Sequence, residues 1–256
     1  MMEVKKIQSR QNEAYKKLAR LFQRPRERKE TDSVVVEGRR EIERALVNGY
    51  ERMQCWFREE SVQPISDKCA VFELKKELFD ALSQRSGNEN EIAVFKTRHW
   101  RLENLDLTPK SKILVAEAPE KPGNIGALMR TAAGAGMDAV FIANPKTDLY
   151  NPQSIRNSLG GIFSIPVVLD SSEKMIAYLK NHSFFIAAAV LNNNSINYTD
   201  CEYKAPWAIV VGTEAEGLQA QWLEVADACI SIPMQPPIDS LNVSVAAGIL
   251  IYSALE

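Results

Sequence analysis

The chain has 256 residues, 45 % apolar and 25 % charged, enough to bury a sizeable core and too apolar for a disordered chain. Its 31 basic and 33 acidic residues leave a net charge of −2, which by itself points to no class of partner. No apolar run reaches the roughly 18 residues of a membrane span, and four scattered cysteines with two histidines suggest reduced thiols in a cytoplasm, not a metal site or disulfides.

The N-terminal stretch MMEVKKIQSRQNEAYKK lacks the apolar core of a secretion signal. Tyr15, Leu18, Ala19 and Phe22 recur at helical spacing and predict a helix near 11–22. A charged turn, RPRERKETD, leads to a β-branched strand at Ser33–Val36. A helix over Arg39–Val47 stops at the turn pair Asn48-Gly49. Apolar stretches at Gln54–Phe57 and Ala70–Phe72, a helix at Lys75–Ser83, a polar loop at Arg85–Glu91 and a strand at Ile92–Phe95 complete this half. The polar stretch His99–Lys112 is the expected linker. Beyond it, strands are expected at Ile113–Ala116, Ala139–Ala143, Pro166–Leu169, Phe184–Val190, Ala208–Val211 and Cys229–Ile232. Helical patterns fall at Ile125–Ala135, Gln153–Leu159, Ser172–Lys180 and Gly217–Val225, with a last helix from about Asn242 to Leu255. Apolar, unalternating strands separated by helices indicate an α/β fold with a mostly parallel sheet. Ligands of such sheets collect at loops beyond the carboxyl ends of strands.

The charge is unevenly spread. Residues 1–108 hold 22 basic and 19 acidic side chains, and residues 109–256 hold 9 and 14. Ten of the basic residues fall within the first 30, a cluster able to neutralise phosphates but equally readable as a solvated helix face.

Three strand-end loops carry the chemical signal. EAPEKPGNIGALMR (117–130) turns at Pro122-Gly123, places Asn124 at an expected helix N-cap and sets Arg130 on the helix behind it. VVGTEAEGL (210–218) ends a strand at Gly212 and carries Glu214 in a turn closed by Gly217. ISIPMQPPIDSLNVSVAA (230–247) is stiffened by Pro233, Pro236 and Pro237, then opens a small-residue helix with Ser240 and Asn242. Neither a GxGxxG dinucleotide fingerprint nor a GKS/GKT phosphate loop occurs, which weakens an oxidoreductase reading.

In this order and spacing, N-x-G-x-x-x-R-T-A, G-T-E-x-x-G-L and I-P-M-x5-S-L-N-V-S-V-A resemble the SpoU (TrmH-like) RNA 2′-O-ribose methyltransferases of the SPOUT superfamily. The segment NPQSIRNSLGGIFSIP (151–166) also looks like that family's. The resemblance spans residues 110–256. Residues 1–105 are similar, more weakly, to an L30e-like RNA-recognition domain, through S-R-Q-N at Ser9–Asn12 and V-V-E-G at Val35–Gly38.

The resemblance implies a trefoil-knotted C-terminal methyltransferase domain that binds S-adenosyl-L-methionine. Methyl transfer would go to a ribose 2′-hydroxyl of structured RNA, rRNA being favoured over tRNA. It places Asn124, Arg130, Glu214, Ser240 and Asn242 in catalysis. Leu191, Gly212, Thr213, Gly217, Ile232 and Leu241 would surround the cofactor, and Arg24, Arg26, Arg28 and Lys29 would touch RNA phosphates. It further implies a homodimer, with Val243, Ala247, Leu250 and Ile251 as a candidate apolar face. Thr213 stands where many members carry Asn, and Pro236 where relatives often have Gly, so the loop ahead of Ser240 is expected to take its own path. The alternative is a non-catalytic RNA-binding or ribosome-assembly protein.

Overall fold

The computed structural model describes residues 3–65, 68–84, 89–192, 194–213 and 217–256. These fall into two units: Met1–Arg98 with Tyr150–Ser164, and His99–Leu149 with Ile165–Glu256. The expected loop at Arg85–Glu91 lies partly outside the described residues.

In the first unit the chain runs through β1 (Val4–Ile7), α1 (Glu13–Gln23), α2 (Pro25–Glu30), β2 (Ser33–Glu37), α3 (Arg39–Val47), β3 (Arg52–Arg58), β4 (Ala70–Leu74), α4 (Lys76–Asp80) and β5 (Glu91–Lys96). The five strands form a mixed sheet in the order β1-β4-β3-β5-β2. Asn12 caps α1 by accepting from the Ala14 and Tyr15 amides at 2.9 and 3.4 Å. Tyr15, Leu18 and Phe22 then face a core that includes the stacked rings of Trp56 and Phe72, 3.9 Å between centroids.

Two elements of this unit lie where no element was expected. β1 is a four-residue edge strand in which only Ile7 is buried, too short to show a period. The supposed charged turn RPRERKETD contains α2, opened by Pro25 at its first position. Its inward residue is Arg28, so no apolar stripe announces it. The buried Arg28 guanidinium donates to the carbonyls of Leu21, and of Phe22 at 3.3 Å, closing the C-terminal end of α1. Arg28 is therefore a structural cation and is removed from the set of phosphate contacts. Arg24, Arg26 and Lys29 remain exposed.

The second unit begins with the expected linker, which packs as part of it. Leu102 is buried in a one-turn 3-10 helix, and Trp100, Leu105 and Leu107 pack against the core. β6 (Lys112–Glu117), α5 (Pro122–Gly134) and β7 (Ala139–Ala143) follow. The chain then contributes α6 (Pro152–Ser158) to the first unit before returning as β8 (Val167–Asp170) and α7 (Ser172–Asn181). Next come β9 (Phe185–Ala189), the two-residue β10 (Ile196–Asn197), β11 (Trp207–Val211), α8 (Ala220–Val225), β12 (Ala228–Ser231) and α9 (Val243–Ser253). The sheet order is β10-β12-β9-β11-β6-β7-β8, with every pairing parallel. β6, β7 and β8 step outward in sequence. β9 starts again on the other side, leaving the place that β11 fills next to β6. The carboxyl ends of β6, β9, β11 and β12 thus lie along one edge.

α5 begins two residues before the expected N-cap. Lys121 is its N-cap and Pro122 its first residue, so Asn124 sits inside the first turn. α9 begins as expected behind Asn242, whose side chain accepts from the Ser244 amide at 3.1 Å. The two helices lie side by side with their starts together: Asn242 donates to Asn124 at 3.1 Å, and Gly248 and Thr131 approach closely further along.

Arg28→Ala should leave two carbonyls at the end of α1 without their donor and lower stability by about 2 kcal/mol, read as an earlier urea midpoint with an unchanged slope.

Candidate active site

Parallel strands carry no side chains past their ends, so the loops that leave them decide what the sheet edge can bind. At this edge lie two cavities. The larger, about 470 Å³, is enclosed by the ends of β9, β11 and β12 and by the start of α9. The smaller, about 220 Å³, lies beside the loop from β6 to α5. They share Gly212, Thr213 and Val243 as a common wall.

The wall is built by a chain reversal. Thr213 and Gly217 exchange both backbone hydrogen bonds at 3.1 Å, and Gly217 takes a left-handed φ of +68°. A Cβ on Gly212 would lie 2.3 Å from the Gly217 carbonyl carbon and 2.7 Å from the Leu218 nitrogen. Only glycine permits that approach.

Every expected cofactor residue, namely Leu191, Gly212, Thr213, Gly217, Ile232 and Leu241, lines the larger cavity, and Ser240 joins them. Ser240 is exposed, with its hydroxyl on Asp239 at 3.1 Å. The path around Pro236 is a turn closed by the Ile238 amide on the Gln235 carbonyl at 3.1 Å, and it still delivers Ser240 and Leu241 to the cavity. Asn124 borders the smaller cavity and reaches the third loop through Asn242. Glu214 lies outside the described residues.

Arg130 is exposed on α5 and lines neither cavity. Six residues correspond to about 600° of helix, so it projects some 120° away from Asn124. Glu120 and Lys146 pair at 2.7 Å at the rim of the smaller cavity. Hydrogen bonding to the Lys146 ammonium holds the Glu120 carboxyl below the usual range.

The larger cavity also uses residues without an expected cofactor role, some inside the motifs (Leu218, Met234, Ala246) and some outside them (Asn192, Leu223, Leu250). Asn192 follows β9, Leu218 and Leu223 bracket the start of α8, and Met234, Ala246 and Leu250 close the far side. Ala246 and Leu250 are one helical turn apart on α9, a spacing present in the sequence but hidden by a helix that is apolar almost all round. The same apolarity hid which face of α9 is covered. Ala247, Leu250 and Ile251 are fully buried in their own subunit, so they do not form the free face expected of them, whereas Val245 and Tyr252 are about half exposed.

The larger cavity is lined mostly by aliphatic and small residues, whereas Glu117, Glu120, Lys121 and Asn124 border the smaller one. Among the described residues no group of histidine, cysteine or carboxylate side chains is placed to hold a metal ion. No described helix is long and apolar enough to cross a membrane.

Comparison with known proteins agrees with this arrangement. Residues 111–252 match the SpoU rRNA Methylase family and residues 12–93 an MRM3-like substrate binding domain. The chain is 28 % identical to the Bacillus subtilis 23S rRNA (guanosine(2553)-2′-O)-methyltransferase RlmP, over 97 % of this chain and 98 % of that protein. Its fold superposes on a crystallised RNA 2′-O ribose methyltransferase with a TM-score of 0.84 at 39 % identity, each chain covered to 98 %. An AdoMet-bound rRNA methyltransferase from Sinorhizobium meliloti gives a TM-score of 0.90 at 25 % identity, covering 98 % of this chain and 97 % of that one. The family match covers more than half of the residues and includes all three motif loops, and the chain belongs to the SpoU rRNA methylase family.

Proposed function

We propose that this enzyme uses S-adenosyl-L-methionine to methylate a ribose 2′-hydroxyl in ribosomal RNA, with the two adjoining cavities as its donor and acceptor sites. The observation that carries the assignment is the shared wall at Gly212–Thr213. It sets a small-molecule cavity directly against a second one that opens beside Asn124. About 470 Å³ falls within the 300–1,000 Å³ usual for small-molecule sites. Leu191, Leu218, Ile232, Leu241 and Leu250 offer aliphatic surface for an adenine ring, and the backbone around Gly212 and Gly217 offers polar edges.

Held by the loops around Gly212, Ile232 and Leu241, S-adenosyl-L-methionine would supply a sulfonium methyl to the ribose oxygen and leave as the neutral thioether, the hydroxyl proton passing to solvent. The chain's own part is alignment and proton handling. Asn124 and Asn242, joined at 3.1 Å, fix the start of α5 to the start of α9. Ser240 places a hydroxyl on the rim of the donor cavity. Arg130 is assigned to orient the acceptor hydroxyl and grip its neighbouring phosphate. Using it as a neutral base would cost about 8 kcal/mol near pH 7. Glu214 is assigned to hold Arg130 or the loop amides.

The remaining parts follow the same reading. The first unit recognises RNA, with Arg24, Arg26 and Lys29 on phosphates. The placement of β11 between β9 and β6, with α9 returning onto β11 and α5, supports a trefoil knot, a rare topology. The half-exposed Val245 and Tyr252 support a homodimer seam on the outer side of α9.

Gly212→Ala should force the loop base apart and weaken S-adenosyl-L-methionine binding by roughly tenfold or more in calorimetry. Arg130→Ala should lower methyl transfer from labelled S-adenosyl-L-methionine to unmodified rRNA by roughly a hundredfold while cofactor affinity stays within twofold. Loss of cofactor affinity in that variant instead would remove Arg130 from the acceptor side. Val245→Asp should convert a dimer to monomers in sedimentation at low micromolar concentration, and a wild-type monomer would defeat the proposed seam.

A further inference from the structure

The polar cluster behind the shared wall joins Glu117, which opens the first of the three loops but has no assigned role there, to residues outside all three. Glu117, the last residue of β6, is buried. The register of β6 with β11 pairs Ala116 with Val211, which puts Glu117 level with Gly212. Three donors converge on its carboxylate: Asn144 Nδ2 at 2.9 Å on one oxygen, and Ser172 Oγ at 2.6 Å with the Trp222 indole N–H on the other. Ser172 in turn accepts from Asn144 at 2.9 Å. Trp222 and Ser172 are fully buried. An amide in place of the carboxylate would turn its NH2 against one of these donors.

These partners come from three separate places. Asn144 directly follows β7, Ser172 begins α7, and Trp222 lies on α8, the helix that follows the Gly212–Leu218 reversal. Leu218 and Leu223, on either side of the anchored indole, both line the larger cavity. The reversal therefore starts beside Glu117 and is held again by Glu117 where it ends.

Resting on the donor-cavity assignment above, we propose that Glu117 is a positioning residue for cofactor binding, acting through the Trp222 indole to hold α8 and the Leu218–Leu223 wall in place. Glu117 also lines the smaller cavity, but both of its carboxylate oxygens are taken up by the Asn144, Ser172 and Trp222 donors. Its contribution is to the shape of the donor cavity, so it should govern affinity for the cofactor and leave the methyl-transfer step alone.

The test compares the wild-type chain with Trp222→Phe, which keeps an aromatic ring but removes the N–H, and with Ser172→Ala, which removes only a hydroxyl that lines neither cavity. Hydrogen exchange is followed over 217–225, and cofactor affinity is measured by calorimetry below the onset of unfolding. The expected result is roughly three- to tenfold weaker S-adenosyl-L-methionine binding in Trp222→Phe, with a raised KM and a kcat within twofold. Exchange should rise over 217–225 while the β6 and β7 peptides stay protected. Ser172→Ala should move the same readouts in the same direction by less, and it decides the matter alone if Trp222→Phe does not fold. Wild-type affinity in the folded variants would overturn the proposal. So would exchange that rises evenly across the second unit, or rises over 217–225 without any change in affinity. A wild-type chain that binds no S-adenosyl-L-methionine would defeat the donor-cavity assignment instead, and the exchange pattern would still decide whether Glu117 tethers α8.

Discussion

The insertion of β11 between β6 and β9 is the constraint on which the rest depends. Parallel pairing on both sides brings the end of β11 level with the ends of its neighbours, so the chain must leave the sheet at a crowded edge. Gly212 is where that crowding is most severe, since its α-carbon sits against the backbone of Gly217 and Leu218. The base of the reversal, Gly212 and Thr213, lines both cavities, so the two adjoin there. A methyl transfer needs two reactants brought together without water between them, and adjoining cavities suit that need.

How far all this can be read from residues depends on how local each signal is. The central strands of the second unit, β6, β7 and β11, are buried on both faces and show as apolar runs, so Ala139–Ala143 is read in full and its neighbours to within a residue or two, whereas the exposed two-residue β10 was not expected. The motif loops are legible because tight turns demand Gly, Pro and Asn whatever surrounds them. α2 is illegible for the opposite reason: its buried contact is made by Arg28, whose partners are carbonyls that leave no trace in composition. α9 is visible as a helix but not as a face, because an apolar pattern all round cannot say which side the sheet covers. Glu117 and Trp222 are 105 residues apart, and each reads locally as an ordinary side chain; only the fold brings them together.

Two arginines show how position separates structure from chemistry in side chains of the same type. Arg28 is buried and spends its donors on the end of α1, where it substitutes for a helix cap. Arg130 is exposed on a helix whose start is fixed by Asn124 and Asn242. A guanidinium that stays charged at every accessible pH is useful in both settings, but only the exposed one can meet a phosphate.

The charge distribution then says where RNA affinity must come from. Residues 109–256 carry five more acidic than basic side chains, so the half that holds the cavities offers a polyanion no general attraction. Exposed charges act over about 8–10 Å at physiological salt. The excess of negative charge therefore has to be outweighed locally, by cations close to the acceptor site, or by a separate surface that captures the RNA first. The exposed Arg24, Arg26 and Lys29 lie in the first unit, within the stretch matched to a substrate binding domain. Under the proposed reading, capture would fall to the first unit. The larger cavity, with no charged side chain among its described lining, can then serve as a largely aliphatic cofactor site.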